Sequence, residues 1–282
     1  MEHLEAIEQF IVALAKRASG QALQGWGAIS MFSKINPLHQ REVVTNQDIG
    51  ITALCATMIN GSFPEAGLLT EERYDYDRYD ERKPEVCFVV DPIDGTSEYV
   101  RHGVYWSVSI AVFQRGKPVA GIVSFPALGC MLFASIRSGI VDVTGQFKLP
   151  TSWGHEPGPR ILISPNQMHH EAHRRGSGAP VRRHMSIPCL TSKFAAVLTG
   201  QADAAVYLPM EGKGAFLWDY AAVAFFLSLA GGRVTSIDGS SLPYDVCKPL
   251  HTEGWLASCM GFDHEYWRRH YHTSCSIPER ES

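Results

Sequence analysis

Asp91-Pro92-Ile93-Asp94-Gly95-Thr96 sets two carboxylates three residues apart with no Lys or Arg between them. Pro92 disfavours the helical region for Asp91 and holds it extended, while Asp94-Gly95 makes a tight turn and Thr96 can start the next element. Both acids therefore turn toward one spot. Like charges beside a buried strand are costly unless a proton or a cation compensates them. A divalent cation does so, and oxygen donors without His or Cys nearby suit Mg2+ or Mn2+ rather than Zn2+. Two more acidic positions stand out. Glu71-Glu72 close the apolar run Gly67-Leu68-Leu69 and, taken alone, read as a solvated face screened by Arg73. Asp219 sits just before the apolar run 220–230 and serves equally well as a helix N-cap or as a ligand, since capping with one oxygen leaves the other free.

The elements that must position these acids follow from hydrophobic pattern. Val86-Cys87-Phe88-Val89-Val90 is continuous, apolar and rich in β-branched residues, which predicts a strand buried on both faces that ends at Asp91-Pro92. Leu4, Ile7, Ile11, Leu14 and Ala18 recur at helical spacing and predict an opening helix. Residues 26–38 show no period and end in the loop signal Asn36-Pro37, whereas Val43–Asp48 leads into a helix to about Ile59, placing Asp48 near its start. Runs at 107–113, 119–125 and 131–135 read as an antiparallel meander. The Gly-, Pro- and Trp-rich stretch 150–159 reads as a joint between an N-terminal α+β half, residues 1–150, and a C-terminal α/β half, residues 151–282. In the second half Ile161-Leu162-Ile163 is strand-like, 194–198 helix-like, and 220–230 an apolar helix stopped by Gly231-Gly232. The polar stretch 273–282 is expected to fray.

With Tyr99 after it, Glu71-Glu72 upstream, and Trp218-Asp219-Tyr220-Ala221-Ala222 and Ala230-Gly231-Gly232 downstream, the hexapeptide resembles the inositol monophosphatase family of Mg2+-dependent, lithium-sensitive phosphatases. Order and spacing match from about Val43 to Gly239. The resemblance implies an α+β fold, a layered αβαβα sandwich of the inositol monophosphatase and fructose-1,6-bisphosphatase type, with metals where its halves meet. It implies one Mg2+ held by Glu71, Asp91 and the Ile93 carbonyl, a second by Asp91, Asp94 and Asp219, and a looser third by Glu71. Two or three ions are thus expected, with Mn2+ able to substitute. Such a pair clamps the attacking and leaving oxygens of an in-line phosphoryl displacement and lowers the pKa of water. The resemblance then makes Glu71 and a Thr96–Asp48 pair the residues that take and orient the proton, and the backbone N–H groups of Gly95 and Thr96 the holders of phosphate oxygens.

Substrate choice divides the resemblance. One branch takes inositol and sugar monophosphates; another removes the 3′-phosphate of adenosine 3′,5′-bisphosphate. Thr191-Ser192-Lys193-Phe194, running on to Gly200-Gln201-Ala202, is similar to the nucleotide branch, although Cys189-Leu190 replaces its Gly-Ser step. Lys193 reads as a solvated helix lysine, with contact to a second phosphate as the alternative. Glu211 is similar to the acid that binds sugar hydroxyls in the inositol branch, one residue farther from Asp219. Thr70 stands where Gly or Ser is usual, and Ala221-Ala222-Val223 stands where that triplet usually ends in Gly. The reading is a Mg2+-dependent phosphomonoesterase of an inositol or sugar monophosphate, with a 3′(2′),5′-bisphosphate nucleotidase as the alternative. A non-catalytic metal- or phosphate-binding regulator is the alternative of another class. A homodimer is what the resemblance suggests.

Composition excludes other classes. The 282 residues carry 25 Lys plus Arg against 29 Asp plus Glu, a formal charge of −4 without a basic tract, so a partner that is a nucleic-acid polymer lacks its electrostatic footprint. The longest apolar run, 221–227, is far below the roughly 20 residues that span a bilayer. The acidic start Met1-Glu2-His3-Leu4-Glu5 does not resemble a signal peptide, so a cytoplasmic location and no membrane partner are expected. Seven Cys without a C-x-x-C pair read as reduced thiols. His169, His170 and His173 with Glu171 miss the H-E-x-x-H spacing, Gly176-Ser177-Gly178 is no nucleophile elbow, and Gly212-Lys213-Gly214 lacks the rest of a P-loop. Trp26, Phe32 and Trp106 are expected to pack rather than bind a base.

Overall fold

The computed structural model describes residues 2–36, 38, 39, 41–73, 84–142, 148, 153, 158–165, 167, 183–208 and 214–275. Helix α1 (Glu2–Gly25) buries Ile7, Ile11, Leu14, Ala18 and Ala22 at helical spacing, as predicted. Where the absence of a period suggested a loop, an antiparallel hairpin forms instead, β1 (Met31–Ile35) with β2 (Arg41–Thr45). Met31, Phe32 and Ile35 are exposed on it, so no buried stripe marks β1, and Phe32 does not pack as expected. Helix α2 (Asn46–Ser62) starts on Thr45, whose hydroxyl accepts from the N–H groups of Gln47 and Asp48.

Strands β3 (Gly67–Thr70), β4 (Val86–Asp94), β5 (Ser107–Gln114), β6 (Lys117–Phe125), β7 (Cys130–Ser135) and β8 (Gly139–Asp142) form one sheet in chain order, with helix α3 (Thr96–Val100) between β4 and β5. The predicted meander is present, and only the β3–β4 pair is parallel. β4 does not stop at Asp91; it continues to Asp94 with a register shift against β5 between the two acids, a bulge that re-aims their side chains. The second half contributes β9 (Arg160–Ile163), β10 (Arg183–Ser186), α4 (Leu190–Leu198), β11 (Ala204–Tyr207), β12 (Ala215–Phe216), α5 (Leu217–Leu229), β13 (Arg233–Ser236), β14 (Leu250–His251), β15 (Trp255–Ser258) and α6 (His264–Cys275). Its mixed sheet runs β10-β9-β11-β15-β13. The stretch expected to fray is helical as far as Cys275.

These elements stack as α1/α2, six-stranded sheet, α4/α5, five-stranded sheet and α6, the expected αβαβα order. Three cores fill the spaces. Phe88 and Val90 pack with α1 and α2; Cys87 and Val89 pack with Phe226 of α5 and with Phe194 and Trp255; Ile161, Val206 and Leu256 pack with Trp267 and Tyr271 of α6. β4 is therefore buried on both faces, and the middle core joins both halves of the chain. Trp26 stacks on Tyr99 and meets Trp106 edge-on, as packing residues should. Cys55, Cys87, Cys189 and Cys259 are free thiols. No helix among the described residues is long and apolar enough to cross a membrane. Residues 169–178, 212 and 213, which hold the His cluster and most of the glycine motifs, lie outside the described residues.

Candidate active site

Parallel pairing puts the exits of β3 and β4 side by side. Thr70 is in register with Val90, so Glu71 emerges next to Asp91. The period of two along β4 sends Asp91 to the same side as Cys87 and Val89, the side that α5 covers. Asp219 lies in the first turn of α5 and is not its N-cap; Phe216 is, and the Asp219 Oδ2 atom accepts from the Phe216 N–H at 2.7 Å. Similarly, the cap of α3 is Gly95 rather than Thr96. Gly95 adopts φ +88°, and a Cβ there would stand 3.3 Å from the Tyr105 carbonyl oxygen, so the turn requires glycine.

Asp91 carries the sharpest electrostatic imbalance. It is 1% exposed, its Oδ1 atom has no hydrogen-bond partner, and its carboxyl is held well above the usual range by burial and then by Glu71, Asp94, Asp219 and Asp48. Asp219 is raised in the same way, by burial, Asp94 and Glu71. Asp94 directs Oδ2 to the Cys189 thiol at 2.7 Å and the Thr191 N–H at 2.8 Å. Asp48 is pushed up to about 6 by burial, opposed by the Thr45 hydroxyl and N–H on its Oδ2 atom. The Thr96 hydroxyl lies 3.1 Å from the Ile93 carbonyl oxygen and 3.4 Å from Asp48 Oδ1.

Glu71 and Glu72 are not a solvated face. Lys34 of the hairpin donates to both, at 2.6 Å and 2.8 Å. Burial lifts Glu71 to about 7 even against the pull of Lys34, while the two glutamates hold the ammonium above its usual range against burial. Lys34 was missed because it lies on the unpredicted hairpin; two short runs flanking Asn36-Pro37 were the available signal. As the side chains stand, no three His, Cys, Asp or Glu among the described residues converge as ligands of one ion. Their chemistry nevertheless fits a hard divalent cation, because an orphaned carboxylate oxygen lies among four further carboxylates and the thiol beside them, Cys189, is kept protonated by burial and donates to Asp94.

A cleft of about 600 Å³ opens at this point, lined by Arg41 and Glu42 of the hairpin, by Glu71, by the Asp94-Gly95-Thr96 turn, and by Ser164, Gln167 and Tyr207 from the second half. Lys193 is not a solvated helix lysine. It is 1% exposed, donates to Ser164 Oγ and to the Ile187 carbonyl, each at 3.0 Å, and burial lowers it to about 8 against the opposing charges of Cys189, Asp94 and Asp219. Glu211 lies outside the described residues. The site thus unites Glu71, Asp91, Asp94, Asp219, Asp48, Gly95 and Thr96, with Lys193 one residue behind the cleft wall.

A model of the inositol monophosphatase family matches residues 3–263. The chain belongs to the inositol monophosphatase family. Among relatives of the family, a probable 3′(2′),5′-bisphosphate nucleotidase of Arabidopsis thaliana is 28% identical over 186 residues, which is 59% of this chain but only about half, 52%, of the relative. A histidinol-phosphatase of Mycobacterium tuberculosis is 27% identical over 244 residues, 83% of this chain and 88% of the relative. The inositol monophosphatase fold also matches the solved structure of an IMPase/NADP phosphatase complexed with Mg2+ and phosphate, with a TM-score of 0.73 at 20% identity over 95% of each chain.

Proposed function

We propose that this member of the family is a Mg2+-dependent phosphoric monoester hydrolase acting on a small polar phosphate ester, an inositol or sugar monophosphate. The observation that carries the reading is the buried Asp91 Oδ1 atom, without a donor and surrounded by like charge, including Glu71 and Asp94 of the cleft wall. Asp91, Asp94, Asp219, Glu71 and the Ile93 carbonyl would hold the ions, with Glu71 exchanging Lys34 for one of them. When bound, divalent cations neutralise the transferred phosphoryl group and bring the pKa of water toward neutrality.

The chain's own groups supply the remainder. Glu71, lifted to about 7, can take a proton near neutral pH. Thr96, between the Ile93 carbonyl and Asp48, orients the attacking water. Gly95 and Thr96 line the cleft at a helix start, where their N–H groups would hold phosphate oxygens. The two halves, read as domains 1–150 and 151–282, enclose the ester between them. A cytoplasmic setting and a homodimer complete the reading.

The likeness to the Arabidopsis nucleotidase favours a second reading, removal of a 3′-phosphate from adenosine 3′,5′-bisphosphate. Phosphate release with Mg2+, with and without EDTA, over inositol 1-phosphate, sugar phosphates, histidinol phosphate and adenosine 3′,5′-bisphosphate separates the readings. EDTA-sensitive release is expected, with lithium inhibiting it. Ion binding without release from any ester would overturn the hydrolase and leave the regulator.

A further inference from the structure

We propose that the Cys189 thiol is a positioning residue that limits Asp94 to a single oxygen toward the divalent ion, and so makes the site discriminate Mg2+ from Ca2+. The inference rests on the reading of Asp94 as an ion ligand. Cys189 is the N-cap of α4 and is buried. Its thiol donates to Asp94 Oδ2 at 2.7 Å, and the Thr191 N–H donates to the same oxygen at 2.8 Å. The main-chain carbonyl of Asp94 lies farther from the thiol, at 3.7 Å.

A carboxylate oxygen offers two lone pairs. On Oδ2 both are taken, one by the S–H and one by the N–H, whereas Oδ1 accepts no hydrogen bond among the described residues and Asp94 lines the cleft. Oδ1 is therefore the oxygen left to a cation, and Asp94 cannot chelate. Asp219 differs, because the Phe216 N–H on its Oδ2 atom leaves a lone pair on each oxygen. Ca2+ takes about six to eight oxygen ligands and accepts both oxygens of one carboxylate. Mg2+ demands a near-ideal octahedron, into which the narrow bite of a single carboxylate does not fit. Two donors on Oδ2 thus deny Ca2+ a ligand and deny Mg2+ none. The Thr191 N–H is fixed by the backbone of α4, so the side chain at position 189 decides whether Oδ2 is saturated.

The test reads ion binding without an ester. Protein freed of ions with EDTA and then of EDTA is melted over a range of MgCl2 or CaCl2, and the rise in Tm gives an apparent dissociation constant for each ion. Unmodified protein, Cys189→Ala, Cys189→Gly and Cys189→Ser are compared. In Cys189→Ala the ratio of the Ca2+ to the Mg2+ constant should fall about tenfold, the scale of losing a hydrogen bond to a metal ligand. A Cβ at Gly95 would stand 3.3 Å from that of Cys189, so Ala, which keeps the Cβ, preserves the packing beside the turn. Cys189→Gly, with a residue tolerated at a helix N-cap, removes the same donor and must shift the ratio the same way. Cys189→Ser, whose hydroxyl can donate in place of the thiol, should keep the ratio of the unmodified chain. A purely structural role would lower the ion-free Tm and weaken both ions alike. An unchanged ratio in the two variants without a donor overturns the proposal, as does a ratio in Cys189→Ser that falls with theirs. A Tm of the unmodified chain that responds to neither ion overturns the ion reading of Asp94 and this inference with it. The measurement needs no phosphate release, so failure of the hydrolase reading, seen in the ester assay, is distinguishable from failure here.

Discussion

Replacing Glu71 with Gln should stabilise the ion-free protein, relative to the unmodified chain, increasingly as pH rises. Burial lifts Glu71 from 4.5 to about 7, with only 20% of its side chain exposed. A carboxyl that binds its proton more tightly folded than unfolded contributes stability that is complete below about pH 4.5 and is lost as pH rises through about 7. At 1.36 kcal/mol per pKa unit the whole shift is worth about 3 kcal/mol, of which about 2 kcal/mol falls between pH 5 and 7.5. Gln does not titrate, so the difference between the two chains changes by that amount. With roughly 2–4 °C per kcal/mol for chains near this size, the gap in Tm should move by about 4–8 °C in favour of Glu71→Gln. Melting both chains in EDTA at several pH values tests this. His264, lowered to about 4 by burial, opposes the trend by losing stability below its ordinary 6.5, but it is common to both chains and cancels in the difference. Loss of the Lys34 contact shifts the absolute gap and not its slope, because Lys34 stays protonated throughout. Parallel melting curves would refute the claim that burial raises the proton affinity of Glu71.

Asp94→Asn should abolish EDTA-sensitive phosphate release while leaving the circular dichroism spectrum intact, since an amide oxygen can still accept from Cys189 and Thr191; retained release would break the ligand assignment. Gly95→Ala should cost about 1–2 kcal/mol in denaturant unfolding for the left-handed backbone alone, and should lower kcat as the turn shifts away from Tyr105. Lys34→Met leaves Glu71 and Glu72 facing each other, so the ion-free melt at pH 7.5 should fall by about 1–2 kcal/mol and Mg2+ should stabilise the variant at lower concentrations than the unmodified chain. Equal Mg2+ dependence in calorimetry would show that Lys34 does not compete with the ion.

What could be read beforehand was whatever lies close along the chain. β4 announced itself by a run of β-branched residues because both its faces are buried, and the acids at its end by spacing that a single strand, turn and helix maintain. The nearness of Glu71 to Asp91 could not be read this way, because it depends on parallel pairing of β3 with β4 across 20 residues of register. The hairpin escaped because exposed strands bury no periodic face, and with it went Lys34. Lys193 was misread through its residue type, although seven of the nine residues of α4 are buried and a lone lysine in so apolar a helix is the available signal.

The same distinction explains which acid anchors the proposed ions. An unpaired carboxylate needs a compensating charge, and that charge can come from a lysine distant in sequence or from an ion. Glu71 and Glu72 obtain theirs from Lys34, 37 and 38 residues away. Asp94 shares its charge with a thiol and a backbone N–H, and Asp219 with the N–H that begins its own helix. Asp91 has none of these for Oδ1, and after burial the charges of Glu71, Asp94, Asp219 and Asp48 raise its pKa. Folding alone therefore compensates each of the other acids in part and leaves Asp91 to a ligand, which is why removing an ion should raise the proton affinity of Asp91.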